Sequence, residues 1–316
     1  MKRGLTSTRR GARLVGRVGE RLTALATALI LALLAIVLAH LVWEGRSALS
    51  WRFLFRGPES DMFDPRTAGV LPMLVGTVAR VLLMTVLVLP AGVLTALYLG
   101  EFAPPKSLLA RLVRFGVNNL AGVPSIVFGL FGLGFFVVFV GGSLDDLLRA
   151  PGAEPHWGRP GLLWASSTLA LMTLPVVVVS TEEALRAIPP GVREASLALG
   201  ATRLQTVARV VIPGALPGVL TGAILALSRA AGEVAPLLFT GAAYYMARLP
   251  ASLTDQFMDL GYHIYVLATQ TPDPTATRPI LYATVLTLLA LTLALNVVGM
   301  FIRAQVRRRI DSAHTA

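Results

Sequence analysis

Two oppositely charged residues, Arg229 and Glu233, lie four positions apart inside a long apolar segment. On a helix, side chains at this spacing share one face and can form an ion pair. A charge at membrane depth costs at least ~2.5–3.5 kcal/mol on insertion scales, so it needs a partner, water or a function. A guanidinium facing a water-filled path would offer a planar donor fork to a tetrahedral oxyanion. The residues alone support this anion path and a structural ion pair equally.

A second distinctive stretch lies between two apolar segments. Pro189-Pro190-Gly191 breaks the chain, and a helix that begins near Val192 places Glu194 in its first turn. A carboxylate is favoured there by the positive end of the helix dipole. Gly200 can adopt the left-handed conformation that ends such a helix.

A second helix, at about residues 202–211, is then expected to run to Pro213, and Pro217 fits the first turn of the next apolar segment. Such a rigid element, joined directly to a membrane helix, can carry motion from a soluble partner into the bilayer. The simpler interpretation is an amphipathic loop that only connects two spans.

The elements that must position these residues are membrane helices. The apolar fraction is 55%, the mean hydropathy is +0.70 and only 14% of the residues are charged. Apolar runs of 18 or more residues predict membrane spans, so we expect an all-α membrane protein. The second run is long, and we expect either a kink at Pro90 or a first part in the interface. The six predicted spans are 22–43, 69–99, 116–140, 162–180, 216–242 and 279–302.

The net charge of +11 is unevenly distributed between these spans. Four stretches carry 18 basic and 6 acidic side chains, whereas the three alternate stretches carry 8 and 10. The positive-inside rule therefore places both termini in the cytoplasm. Anionic lipid accounts for the basic excess, so no nucleic acid is expected. The basic stretches are 1–21, 100–115, 181–215 and 303–316, and the others are 44–68, 141–161 and 243–278.

Several kinds of chemistry find no support in the chain. Cysteine is absent, and the four histidines are scattered without metal-ligand spacing. There is no Walker A sequence and no evident nucleophile–base pair. Arg80, the third charge inside an apolar segment, has no evident partner in its own helix. We expect it to extend toward an interface and assign it no role.

Four motifs resemble a known family of membrane subunits. Residues 194–200 read Glu-Ala-Ser-Leu-Ala-Leu-Gly and, with the Val-Val-Ile-Pro ending at 210–213, resemble the EAA loop of ABC-importer permeases. Residues 119–130 resemble the third-span signature of phosphate-transporter permeases, and residues 228–238 resemble their fifth-span motif. Residues 262–269 are similar to the external loop of the PstA family. Ser196, Val210 and Ile212 are modest departures from the EAA pattern.

This resemblance implies the type I ABC importer permease fold, with six spans and a place in the bacterial inner membrane. The implied partners are the paralogous permease PstC, two copies of the ATPase PstB and the periplasmic protein PstS, which delivers inorganic phosphate. The chain itself would be no enzyme and would hold no cofactor, since the partner ATPase binds Mg-ATP. Residues implied in ATPase coupling are Glu194, Ala195, Ser196, Leu199, Gly200, Ile212 and Pro213, and those implied in the translocation path are Arg229, Glu233, Asn119, Pro124 and Ser125.

We expect four parts along the chain. A basic cytoplasmic segment, 1–21, precedes an uncleaved first span with its periplasmic loop, 22–68. The permease domain, 69–302, contains the coupling loop 181–215, and a basic cytoplasmic tail, 303–316, follows.

Alternative functions remain open from the sequence. The chain could be a permease for sulfate or molybdate, or the partner PstC. A stand-alone channel or secondary carrier belongs to another class, and it would have no need of an ATPase-docking loop.

Overall fold

The computed structural model describes residues 4–58, 61–104, 106–148, 152–246 and 248–315, with side chains described between residues 16 and 310. Lys2 and Arg3 of the predicted basic N-terminal segment lie outside the described residues, as does Ala316 at the end of the predicted tail. The side chains of Arg9, Arg10 and Arg13 also lie outside the described set.

The described chain is built from helices, and six helical runs are long and apolar enough to cross a membrane. This confirms the expected all-α architecture with six spans. The runs are 16–45, 71–102, 125–148, 162–186, 203–231 and 274–310. The helices are α1 (Gly4–Gly45), α2 (Trp51–Phe55), α3 (Leu71–Leu97), α4 (Leu108–Leu120), α5 (Ser125–Phe131), α6 (Gly142–Leu148), α7 (Leu162–Arg186), α8 (Pro190–Ala198), α9 (Arg203–Thr206), α10 (Ile212–Ala231), α11 (Leu237–Thr240), α12 (Leu260–Thr269) and α13 (Pro274–Thr315).

Three π-helical segments in the described part of the chain lengthen these helical runs. Tyr98–Phe102 extends α3, Gly132–Gly141 joins α5 to α6, and Val207–Val211 joins α9 to α10. The second span remains helical through Pro90. The expected kink at Pro90 and the expected position of the first part in the interface stay predictions.

The predicted bounds of the third and fifth spans were wrong. The third span begins at Ser125, because Pro124 precedes its first turn and separates it from α4. The fifth span was predicted to continue to residue 242, but α10 ends at Ala231 with Gly232 as its C-cap. In both places glycine and proline interrupt a run that hydropathy alone reads as continuous.

The centre of the bundle is formed by α3, α7 and α10. Gly218 and Gly222 lie four positions apart in the sequence, and this spacing of small residues predicts a close helix contact. In the structure, α7 approaches both glycines so closely that a Cβ atom has no room. On α3, Gly92 makes a similar approach to Val177. No hydrophobic effect drives helices together in lipid, so membrane helices associate by close packing, which small residues permit. The predicted packing face of α10 is therefore confirmed.

The end of the bundle opposite α8 is more ordered than the sequence indicated. The glycine, proline and acidic content of residues 141–161 predicts an exposed loop, but these residues include α6. The buried Asp145 carboxylate of α6 accepts hydrogen bonds from the backbone of His156, Trp157 and Gly158. The apolar and aromatic residues within 243–278 predict a short helix. It is present as α12, with Asp259 as its N-cap.

Candidate coupling surface and translocation site

Arg229 and Glu233 meet at the end of α10. Arg229 lies two residues before the helix ends, about 26 Å along the axis from Ile212 at 1.5 Å per residue. Its Nε atom is 3.7 Å from Glu233 Oε1, and the two side chains are 45% and 21% exposed. The predicted pair is present. The Nε to Oε1 distance of 3.7 Å exceeds hydrogen-bond length, and no described residue accepts a hydrogen bond from the guanidinium, so its donors can bind a ligand.

Glu233 does not belong to the same helix as its partner. It lies in the break at residues 232–236, between the C-cap of α10 and the N-cap of α11. The pairing depends on the fixed geometry of this break as well as on helical periodicity. Gly232 and Pro236 flank Glu233 in the sequence and predict a local loosening of the helix. The structure instead has a complete interruption of the helix there.

Arg80, to which the sequence assigned no role, is held inside the bundle by three partners. Its side chain is fully buried, and its Nε atom lies 2.6 Å from Asp259 Oδ2. Its two terminal nitrogens donate to the carbonyls of Ala230 at 2.8 Å and Ala231 at 3.1 Å. The expectation that Arg80 extends toward an interface was wrong, because a buried carboxylate and two helix-end carbonyls compensate its charge within the bundle.

The third-span and fifth-span motifs meet through a glycine. A Cβ atom at Gly129 would lie 2.9 Å from the Cα atom of Pro236 and 3.2 Å from the carbonyl oxygen of Ala235. The start of the third span is therefore packed directly on the break that holds Glu233.

The other predicted path residues of the third-span motif lie at the interruption between α4 and α5. Asn119 is exposed and donates from Nδ2 to the carbonyl of Phe115 at 2.7 Å. Pro124 is the N-cap of α5, and Ser125 is its first residue. Among the described residues, no hydrogen bond or ion pair joins these three to Arg229 or Glu233. Their role in the path stays a prediction.

We expect Gly129→Ala to destabilise the protein, because the added methyl would meet backbone atoms that cannot rotate away. Overpacking of this kind typically costs ~1–3 kcal/mol. The melting temperature of the detergent-solubilised chain should fall by several degrees. Gly134→Ala is the matched control, since a Cβ atom there meets nothing within 4 Å. Equal melting temperatures for the two variants would contradict the close contact.

The predicted coupling helix is α8, which begins earlier than expected. It starts at Pro190, a residue whose fixed φ angle suits the first helical position. Glu194 is consequently its fifth residue rather than part of its first turn, and no acidic residue occupies that turn. Gly200 follows the helix with φ of +87°, as the sequence predicted.

One face of α8 is exposed in the described part of the chain. Glu194 and Ala195 are exposed, and Leu199 is 90% exposed at the C-cap of the helix. A large apolar side chain at this exposure gains nothing from its own fold. Val192 and Leu197 of α8 are also exposed, and exposed groups of apolar side chains are typical of surfaces that contact another protein or a membrane.

The opposite surface of α8 is tied to the helix ends of the bundle. Arg193 donates to Glu101 at 2.8 Å and to the carbonyls of Leu185 and Ile188 at 2.7 and 2.6 Å. Its cation thereby satisfies carbonyls at the C-terminal end of α7. Sequence reasoning missed Arg193 and Glu101, which are 92 positions apart.

A further contact joins α8 to the fifth span. The hydroxyl of Ser196 lies 3.0 Å from that of Thr206, and Thr202 forms a capping box with Gln205. From Arg203 the chain is helical without interruption to Ala231. The predicted division at Pro213 and Pro217 was wrong, since Pro213 lies in the first turn of α10 and both prolines are accommodated within the run. Ile212 and Pro213 are half-buried there.

Comparison with known proteins identifies relatives of this arrangement. The chain is 36% identical to phosphate transport system permease protein PstA 1 of Mycobacterium tuberculosis (strain CDC 1551 / Oshkosh), over 60% of this chain and 55% of that protein. It is 31% identical to phosphate transport system permease protein PstC of Mesorhizobium japonicum (strain LMG 29417 / CECT 9101 / MAFF 303099), over 69% of each chain. The chain thus spans between about half and two thirds of the length of these relatives.

The fold is shared with a solved transporter. A chain in the crystal structure of a bacterial alginate ABC transporter, in complex with an alginate pentasaccharide-bound periplasmic protein, aligns with a TM-score of 0.62 and 17% identity. The alignment covers 94% of this chain and 96% of that one. This similarity confirms the predicted type I ABC importer permease fold.

A family model matches most of the sequence, from residue 88 to residue 312. The matched range includes α8, the continuous run into α10, and the break that holds Glu233. The chain belongs to the family described as binding-protein-dependent transport system inner membrane component.

Proposed function

We propose that this protein is a permease subunit of an ATP-driven importer of inorganic phosphate. As a family member it is a multi-pass inner-membrane component of an ABC importer. The observation that carries the choice of phosphate is Arg229, a half-exposed guanidinium paired with Glu233 at 3.7 Å in a chain related to phosphate permeases.

The geometry of this pair suits a tetrahedral oxyanion. The guanidinium presents planar donors that match phosphate oxygens in a bidentate arrangement. Glu233, close to Arg229 but beyond hydrogen-bond length, keeps that side chain oriented. Its negative charge also prevents the anion from binding too tightly to leave, which conduction requires.

The exposed surface of α8 supports coupling to an ATPase. We propose that two copies of a PstB-like ATPase bind this surface and the equivalent surface of a paralogous permease. Movement of α8 would pass through Arg193 to the ends of α3 and α7, and along the continuous run 203–231 to Arg229. The chain would hydrolyse no ATP itself.

The remaining proposed partners follow from the same assignment. A PstS-like periplasmic protein would deliver phosphate to the end of the bundle opposite α8. Both chain termini would lie in the cytoplasm, on the side of α8, which agrees with the basic excess of that side. The pairing permease would be PstC-like if this chain is the PstA-like partner.

Transport by the complete complex distinguishes these proposals from their alternatives. We expect ATP-dependent uptake of radiolabelled phosphate in membrane vesicles that contain all co-encoded subunits, competed by arsenate and not by sulfate or molybdate. Competition by sulfate or molybdate would assign the permease to another oxyanion. Uptake that needs neither ATP nor the binding protein would assign it to the channels or secondary carriers.

A further inference from the structure

Arg80 is the largest side chain that the described bundle buries completely. A buried guanidinium without compensation would be strongly unfavourable, yet this one has three partners. Its Nε atom donates to Asp259 at 2.6 Å, and its terminal nitrogens donate to the carbonyls of Ala230 and Ala231. No described side chain of the bundle is held by more elements than this guanidinium, which connects α3, α10 and α12.

The two carbonyls bound by Arg80 belong to the last turn of α10. Carbonyls there lack partners inside the helix and carry partial negative charge, so a cation is favoured beside them. They directly follow Arg229 in the sequence and precede the break with Glu233. The end of α10 is therefore tied to α3 by two hydrogen bonds.

Asp259 binds Arg80 and also caps the start of α12. Its Oδ1 atom accepts the backbone N–H of Tyr262 at 3.1 Å as the N-cap, while Oδ2 accepts from Arg80 and from the hydroxyl of Thr77 at 2.8 Å. One carboxylate thus caps a helix and compensates the buried cation. Since Thr77 also accepts from the backbone of Leu260 at 2.9 Å, every polar group of the cluster has a partner.

The break with Glu233 is enclosed by the elements that this cluster joins. The first turn of α12 packs on it at Gly261, where a Cβ atom would lie 2.9 Å from a methyl of Val234. On α3, Gly76 approaches the carbonyl of Met258 so closely that no side chain fits. Arg80 and Asp259 are therefore fully buried beside the break, whereas the Arg229 side chain is 45% exposed.

We propose that Arg80 and Asp259 are positioning residues for the anion site, and that their clamp between the end of α10 and the start of α12 sets the distance from Arg229 to Glu233. Arg80 touches no transported ion, because it is fully buried. The inference rests on the proposed function only in identifying the anion as phosphate. The mechanical part, control of the break, holds for any cargo.

A cysteine reporter tests the clamp in the assembled transporter. The chain has no cysteine, and a Cβ atom at Gly232 meets nothing within 4 Å, so Gly232→Cys places a single thiol in the break. We expect Arg80→Lys to raise the rate of labelling by a small maleimide at least fivefold, because a lysine cannot hold the carboxylate and both carbonyls together. In the cysteine-free chain, it should raise the half-saturation concentration for phosphate uptake at least fivefold.

Arg278→Lys is the matched control. It makes the same substitution in an exposed ion pair with Glu44, at 3.2 Å, and should leave labelling and half-saturation within twofold of the parent. The double variant Arg80→Met/Asp259→Leu removes both buried charges, so neither is left without its partner. We therefore expect it to accumulate even where Arg80→Lys does not. It should show the same faster labelling.

Three results overturn the proposal. One is an Arg80 variant that assembles normally and has the same labelling rate and the same half-saturation concentration for phosphate uptake as the parent. Another is weaker phosphate uptake with unchanged labelling, and the third is loss of the chain in both Arg80 variants, which would assign the pair to folding alone. Labelling needs no substrate. Faster labelling in a transporter that carries another oxyanion would therefore sustain the clamp and contradict only the phosphate assignment.

Discussion

Leu199→Asp is expected to abolish phosphate uptake while the chain still inserts and accumulates normally. Leu199 is 90% exposed, so its replacement removes no contact within the protein and creates no cavity. In the proposed complex, the same side chain is buried against an ATPase. A carboxylate forced into an apolar contact loses its hydration without compensation, and a buried charged group left without a hydrogen-bond partner costs ~2 kcal/mol or more.

The measurement compares initial rates of phosphate uptake at equal amounts of membrane-inserted chain, determined by quantitative immunoblotting. We expect less than about 5% of the parental rate, since a loss of 2 kcal/mol weakens association about thirtyfold. Leu147→Asp is the matched control, because Leu147 is 79% exposed at the opposite end of the bundle. Parental uptake with Leu199→Asp, or an equal loss with Leu147→Asp, would remove the case for a coupling surface at α8.

Arg229→Gln should reduce phosphate uptake at least tenfold without disturbing assembly. Glutamine keeps two donors but loses the charge, and hydrogen bonds to charged groups are worth about 1.5–3 kcal/mol. The loss should appear as a higher half-saturation concentration, with Arg229→Lys intermediate because a point charge replaces the planar fork. Uptake kinetics and co-purification of the other subunits measure the two effects separately.

Arg278→Gln provides the comparison for that experiment. Arg278 is 51% exposed in its ion pair with Glu44, close to the 45% exposure of Arg229, and it lies at the start of α13 rather than beside the break. Its variant should transport normally. If Arg229→Gln instead prevents the subunits from co-purifying, Arg229 and Glu233 form a structural ion pair, the alternative that the residues alone left open.

Local features of the sequence anticipated much of this structure. Apolar length located all six spans, and the spacing of Gly218 and Gly222 identified the face of α10 that packs on α7. Gly200 was recognisable as a left-handed helix terminator, with φ of +87°. These features depend on neighbours within a few positions of one another, so their physical causes are visible in the chain itself.

Contacts between distant residues could not be anticipated in the same way. Arg80 and Asp259 are 179 positions apart, and Arg193 and Glu101 are 92 apart, so nothing in either neighbourhood indicates its partner. The sequence did contain signals for the position at which α10 ends. Gly232 and Pro236 flank Glu233 in the sequence, but the apolar residues beyond them favoured a continuous span.

The central claim is that the exposed surface of α8 contacts a nucleotide-hydrolysing partner on the inner side of the membrane. Its most direct test is site-specific photo-cross-linking from position 199 in intact cells that express the complete transporter, with position 147 as the control. The account predicts a product that contains the co-encoded ATPase from position 199 and none from position 147. Cross-links from position 199 to periplasmic proteins, or none to the ATPase, would contradict it.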